Sequence, residues 1–186
     1  MKYAFLVFPA LICWTTTMLT GTVLASSYTY TATVDGVSTW NRPVENGPAA
    51  PVDLSLTALN AGYHSKAIIV DTDGDYTFDS TYTGSSWDNY TFLYLGSFDP
   101  LSPLASVLIG NDDGLGGVGT SGFIYSLVAG NTYFFVTTGF SDSDLGTALN
   151  SVSGPGSIGT TPEPGTLLAT LAGLGLLGIG KKLKAA

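Results

Sequence analysis

The chain carries two long apolar runs, one near each end, and between them only short alternating ones. Tyr3 to Trp14 is almost wholly apolar, and Gly165 to Gly180 contains no charged residue. From Tyr28 to Val152 no stretch sustains the 3.6-residue period of a helix. Apolar and polar positions alternate there in short runs broken by Gly, Asn, Asp and Pro. The alternation predicts strands over Tyr28–Val34, Ala67–Thr72, Asp75–Thr83, Tyr90–Leu95, Ala105–Ile109, Phe123–Val128, Thr132–Thr138 and Thr147–Val152. In the Asp75 strand Tyr76, Phe78 and Tyr82 share one face and Thr77, Asp79 and Thr81 the other, the pattern of a half-buried antiparallel strand. Asp73-Gly74 and Ala129-Gly130-Asn131 read as hairpin turns, because these residues tolerate positive φ. Eight short strands predict an all-β fold, a jelly-roll-like antiparallel β-sandwich over residues 26–152.

The two apolar runs stand outside that domain. Lys2 before the first run, and Val23-Leu24-Ala25 after it, read as a secretory signal peptide over residues 1–25, cleaved between Ala25 and Ser26. An uncleaved N-terminal anchor is the other reading, and Thr15-Thr16-Thr17 interrupts the run against it. The second run, residues 165–180, follows Pro164, a good helix starter, and is followed by Lys181, Lys182 and Lys184. As a helix, its sixteen residues span ~24 Å against a hydrocarbon core of ~30 Å; lysine snorkelling and local thinning make up the difference. A buried soluble helix is the bland alternative. Residues 153–161, rich in Gly, Ser, Thr and Pro, read as a flexible linker.

Charge sharpens this division. The 186 residues carry 6 basic and 14 acidic side chains, a net charge of -8. Between Ser26 and Thr161 there are 13 acidic residues against Arg42 and Lys66, while both ends are positive. The positive-inside rule therefore places both ends in the cytoplasm and the acidic middle outside. Nucleic acid is excluded as a partner, since two cations cannot neutralise a run of phosphates. One Cys, Cys13 inside the first apolar run, excludes a disulfide framework, and one His, His64, makes His-based catalysis or a zinc site a poor expectation. Gly173-Leu174-Gly175-Leu176-Leu177-Gly178 matches a dinucleotide fingerprint by letters only; it follows no strand and lies in the apolar run.

Pro162-Glu163-Pro164, the apolar run and the lysines, in that order behind a signal peptide, resemble the PEP-CTERM sorting signal of exported proteins of Gram-negative bacteria that make exopolysaccharide. The resemblance covers residues 162–186, with motif 162–164, membrane helix 165–180 and basic cluster 181–184. It implies export through the secretory translocon, removal of the leader by signal peptidase, and transient anchoring in the inner membrane. Recognition and cleavage near the tripeptide by exosortase would follow, with delivery to the cell surface or extracellular matrix. The span is short, and the basic cluster is lysine where arginine is usual.

The middle resembles the bacterial pre-peptidase C-terminal (PPC-like) domain. Thr39-Trp40-Asn41-Arg42-Pro43, Gly74-Asp75-Tyr76-Thr77-Phe78, Trp87 through Tyr94, Phe98-Asp99-Pro100, Asn111-Asp112-Asp113-Gly114 and Ala129 through Tyr133 carry it. Such domains are non-catalytic β-sandwiches, so the resemblance implies a protein that is not an enzyme. The expected role is structural or adhesive in an exopolysaccharide or biofilm setting, with a carbohydrate- or protein-binding module as the alternative.

Among the side chains, the acids offer the chief chemistry. Asp88, Asn111, Asp112 and Asp113 form the preferred candidate calcium set, and Asp71-Thr72-Asp73-Gly74-Asp75 spaces three carboxylates around a turn. Ordinary turn chemistry, in which Asp and Asn bond their own backbone, is the competing reading of both. An EF-hand is excluded, because the twelfth residue from Asp71 is Tyr82. No G-x-S-x-G motif accompanies His64, so no catalytic residue is assigned. Trp40 and Trp87 are candidates for sugar stacking or for the core, with the core as default.

Overall fold

The structure, a computed structural model, describes residues 26–160. The expected signal peptide up to Ala25, the sorting motif Pro162, Glu163 and Pro164, the apolar run and Lys181, Lys182 and Lys184 lie outside the described residues.

The described residues are all β, with ten strands: β1 (Ser26–Val34), β2 (Thr39–Trp40), β3 (Ala61–Val70), β4 (Gly74–Thr83), β5 (Asn89–Leu95), β6 (Val107–Asn111), β7 (Thr120–Leu127), β8 (Thr132–Gly139), β9 (Gly146–Gly154) and β10 (Ile158–Gly159). Two antiparallel sheets form, one in the order β1-β9-β4-β7 and one in the order β10-β3-β8-β5-β6, with β2 also on β3. The pairs β1·β9, β3·β8, β4·β7 and β5·β6 are nested, first strand with last and inward. This is one long hairpin rolled over itself, which is jelly-roll topology.

Alternation along each strand builds the interior. Tyr76 and Phe78 of β4, Leu127 of β7 and Val152 of β9 meet Ile68, Val70, Leu93, Tyr133 and Phe135 of the facing sheet. The Asp75 strand is buried at Tyr76, Phe78 and Ser80 and open at its odd positions, as its alternation predicts. β5 is buried on both faces because a second aromatic core lies outside its sheet. There Trp40, Tyr63, Phe92, Tyr94 and Phe98 pack ring on ring under the segments that follow β2 and β5. Trp40 and Trp87 are both buried, 3% and 6% exposed, which removes them as sugar-stacking surfaces. Trp40 donates its ring N–H to Thr138 Oγ1, and Trp87 donates to the Thr147 carbonyl.

A polar belt crosses the interior between the sheets. One sheet contributes the register-aligned row Tyr30, Asn150, Ser80, Ser121, and the other the row His64, Thr137, Thr91, Asn111. The rows are joined by Asn150 Nδ2 donating to Thr137 Oγ1 (2.6 Å) and by a Thr91–Ser121 hydroxyl pair (2.6 Å). The belt separates the main apolar cluster from a smaller one of Val34, Trp87 and Ala148.

Several sequence expectations are corrected. Asp73-Gly74 and Ala129-Gly130-Asn131 are not hairpin turns: β3 and β4, and likewise β7 and β8, lie in different sheets. Their positive-φ glycines, Gly74 (149°) and Gly130 (79°), turn the chain across the sandwich instead. Asp73 Oδ1 accepts the Ala129 N–H at 2.7 Å and ties the two arches together. The strand expected to begin at Ala67 begins at Ala61, because the belt puts polar His64 on an inward position of β3. His64 is thus a strand residue, its ring 5.9 Å from that of Tyr30. The expected linker 153–161 is largely folded: Ser153 and Gly154 end β9, and β10 pairs Ile158 with Val70 and Gly159 with Ile69. Asp71 Oδ1 accepts the Ser157 N–H and the Tyr76 hydroxyl accepts the Gly156 N–H, so specific acceptors dock a stretch whose composition reads as linker.

Candidate functional site

The β5–β6 hairpin aligns Thr91 with Asn111, which sets the residues just before β5 beside those just after β6. Asp88 on one side and Asp112 and Asp113 on the other bring carboxylate oxygens within 4.8 Å of one another. Asp88 and Asp112 are half-buried and Asp113 is exposed. One oxygen of each half-buried acid, Asp88 Oδ1 and Asp112 Oδ1, is shielded from solvent and has no hydrogen-bond partner. The backbone around them is spoken for: the Asp88 carbonyl accepts the Phe140 N–H, and the Asp112 N–H donates to Glu45 Oε2 at 2.8 Å.

Electrostatics follow from that crowding. Burial, then the charges of Asp88 and Asp113, push the Asp112 carboxyl up to about 6. Burial, then Asp144 and Asp113, also raise Asp88. Arg42 supplies the nearest positive charge, but its N–H groups are committed to carbonyls: Nε and Nη2 donate to Phe140 O (3.0 and 2.6 Å) and Nη1 to Pro43 O (2.9 Å). Its guanidinium lies 4.2 Å from the centre of the Tyr90 ring. It is 3% exposed, and burial lowers its pKa. Arg42 therefore moderates the field at the acids without occupying their oxygens.

Of the four sequence candidates, three converge and one does not. Asn111 turns inward, where its Oδ1 accepts the Gly122 N–H at 3.0 Å. The Asp71, Asp73, Asp75 trio is dispersed: Asp71 holds Ser157, Asp73 holds Ala129, and Asp75 accepts from the Ser126 hydroxyl. For these three, turn and cross-strand chemistry accounts for the carboxylates. Glu45 and Arg42, which pattern reading did not place at the site, arrive on the segment after β2, and only tertiary folding puts them there. The donor set of Asp88, Asp112 and Asp113, hard oxygens with two lacking partners, fits a cation such as calcium, which takes six to eight oxygen ligands.

No protein-family model matches the chain, and no curated protein matches it. Among solved structures the chain is similar to a family 35 carbohydrate binding module of Cellvibrio japonicus, at 14% identity and a TM-score of 0.38, over 73% of this chain and 99% of that one. It is similar to a family 35 module from an environmental isolate at 13% identity and TM-score 0.36, over 73% and 99%. A Yersinia pseudotuberculosis-derived mitogen is similar at 11% identity and TM-score 0.33, over 76% and 91%. At those values the likeness says nothing of ligand or activity.

Proposed function

We propose that this chain is a non-catalytic exported protein whose jelly-roll domain is a structural or adhesive module of the cell surface or extracellular matrix. The tail would hold the precursor in the inner membrane until an exosortase cleaves near Pro162-Glu163-Pro164. One observation carries the reading: an acidic domain bounded by two apolar runs with lysines on their far sides, and the Pro-Glu-Pro tripeptide where the second run begins. An ammonium cluster resists crossing the bilayer, so the run it follows retains the chain during export. The folded domain, through β10, reaches almost to the tripeptide, which leaves little chain between the sandwich and the membrane. Within this reading the Asp88, Asp112, Asp113 corner binds calcium and stiffens the end of the sandwich.

Pulse-labelling with membrane fractionation tests retention. The full-length chain should pass first through the membrane fraction, and replacing Lys181, Lys182 and Lys184 by Glu should shrink that pool. Identical fractionation of the two chains would overturn the sorting assignment.

A second reading, a carbohydrate-binding module, is favoured by the exterior of the β1-β9-β4-β7 sheet. Its outward positions include the exposed hydroxyls of Thr29, Thr31, Thr33, Thr81 and Thr83, with no cation among them.

A further inference from the structure

The outward face of the β4–β7 pair is notched. Register sets Thr77 opposite Ile124, Asp79 opposite Gly122, and Thr81 opposite Thr120. The middle rung has one side chain and a gap. Gly122 maintains it: a Cβ there would stand 3.0 Å from Asp79 Oδ1 and 2.6 Å from the Phe78 carbonyl oxygen.

The loop from Gly114 to Gly119 overhangs the notch. Gly114 N–H donates to Thr120 O (2.7 Å), and Thr120 N–H and Oγ1 both donate to Gly117 O (3.0 and 2.8 Å), so the loop closes on itself. A Cβ at Gly116 would lie 2.8 Å from Thr120 Cγ2. Leu115 at the loop tip and Ile124 on β7 are both exposed. Together these residues enclose an open groove of about 390 Å³.

The lining specifies a ligand class. Among the described residues Asp79 is the only charged side chain in the groove, and no Lys, Arg or His of theirs lines it. An ionised carboxylate accepts hydrogen bonds through two oxygens and donates none, so it favours a partner rich in hydroxyl donors. Thr77 and Thr81 can donate and accept alongside it, and Thr120, whose hydroxyl proton is given to Gly117 O, can accept. Leu115 and Ile124 offer apolar contact to the C–H face of a sugar ring. Thirteen acids against two bases between Ser26 and Thr161 repel an anionic polymer.

We propose that this groove, on the sheet face rather than among the loops at one end of the sandwich, binds a neutral polysaccharide, with Asp79 accepting from its hydroxyl groups. The inference rests on the second reading above and assigns it a site. It is independent of the Asp88, Asp112, Asp113 corner.

Affinity electrophoresis of the full chain in mild non-ionic detergent is the test. The gels would carry hydroxyethylcellulose, galactomannan or arabinoxylan as neutral probes and alginate as the anionic one. The wild-type chain should be retarded by at least one neutral polymer and not by alginate. The variant D79N/I124K, changed at two exposed positions and melting like the wild type, should bind that polymer about tenfold more weakly. Equal retardation of the variant would remove the groove and leave carbohydrate binding standing. No retardation by any neutral polymer, or retardation by alginate alone, would overturn the proposal, and the first of these would remove the carbohydrate reading with it.

Discussion

Asp112 illustrates what folding does to one side chain. An Asp ordinarily titrates at ~4, and here burial and two neighbouring carboxylates carry it to about 6. The folded state then binds the proton more tightly than the unfolded chain does, so ionisation of Asp112 opposes folding. Stability should rise as pH falls from 7 through 6 towards ~4, and Asp88, raised for the same reasons, adds in the same direction. In chelator the chain should melt higher at pH 5 than at pH 7, and Asp112→Asn should flatten that difference. Calcium at pH 7 should raise the melting temperature of the wild type and leave Asp112→Asn nearly unchanged. A wild-type melting temperature indifferent to calcium and chelator would remove the cation from this corner. The sequence reading put Asp88, Asn111, Asp112 and Asp113 ahead of the Asp71 run, and the three acids of that set do meet, but the inward turn of Asn111 and the dispersal of the other run were not legible. Asp71, Asp73 and Asp75 are closer together in the chain than Asp88 and Asp112, yet each serves a separate backbone N–H or hydroxyl.

At the level of elements, alternation located the eight main strands of the sandwich, since one buried face enforces a period of two. It failed where a local rule met a non-local one. Asp-Gly between two alternating runs signals a hairpin, yet at Asp73-Gly74 the strands part to opposite sheets, because β4 finds β9 and β7 as partners. The same holds at Gly130. The two-residue strands β2 and β10 carry too few positions for any period, and β3 is disguised by His64 and Lys66 on its inward side. Glycine within a strand was equally unreadable. Gly110 of β6 faces the ring of buried Phe92, and a Cβ there would strike Cδ1 and Cε1 of that ring. Gly110→Ala should therefore destabilise the domain by about 1–3 kcal/mol, read as a lower urea midpoint with an unchanged m-value. A midpoint equal to the wild type would mean that the outer aromatic core yields without cost.

At the scale of the whole molecule, the described residues form a rolled hairpin with apolar clusters on both sides of one sheet and a polar belt through its interior. Its first strand pairs with β9, so β1 and the chain leaving β9 lie at the same side of the fold. β10 then fastens that exit to the edge of β3. In the proposed account both apolar runs leave from this region, the leader before Ser26 and the tail after Thr160, and the acidic sandwich is the part delivered. The measurement that tests delivery most directly is the intact mass of the protein recovered from outside the cell. The account predicts a chain that begins at Ser26 and ends close to Pro164, lacking the apolar run and its lysines. A full-length chain confined to the inner membrane, with none outside the cell, would contradict it.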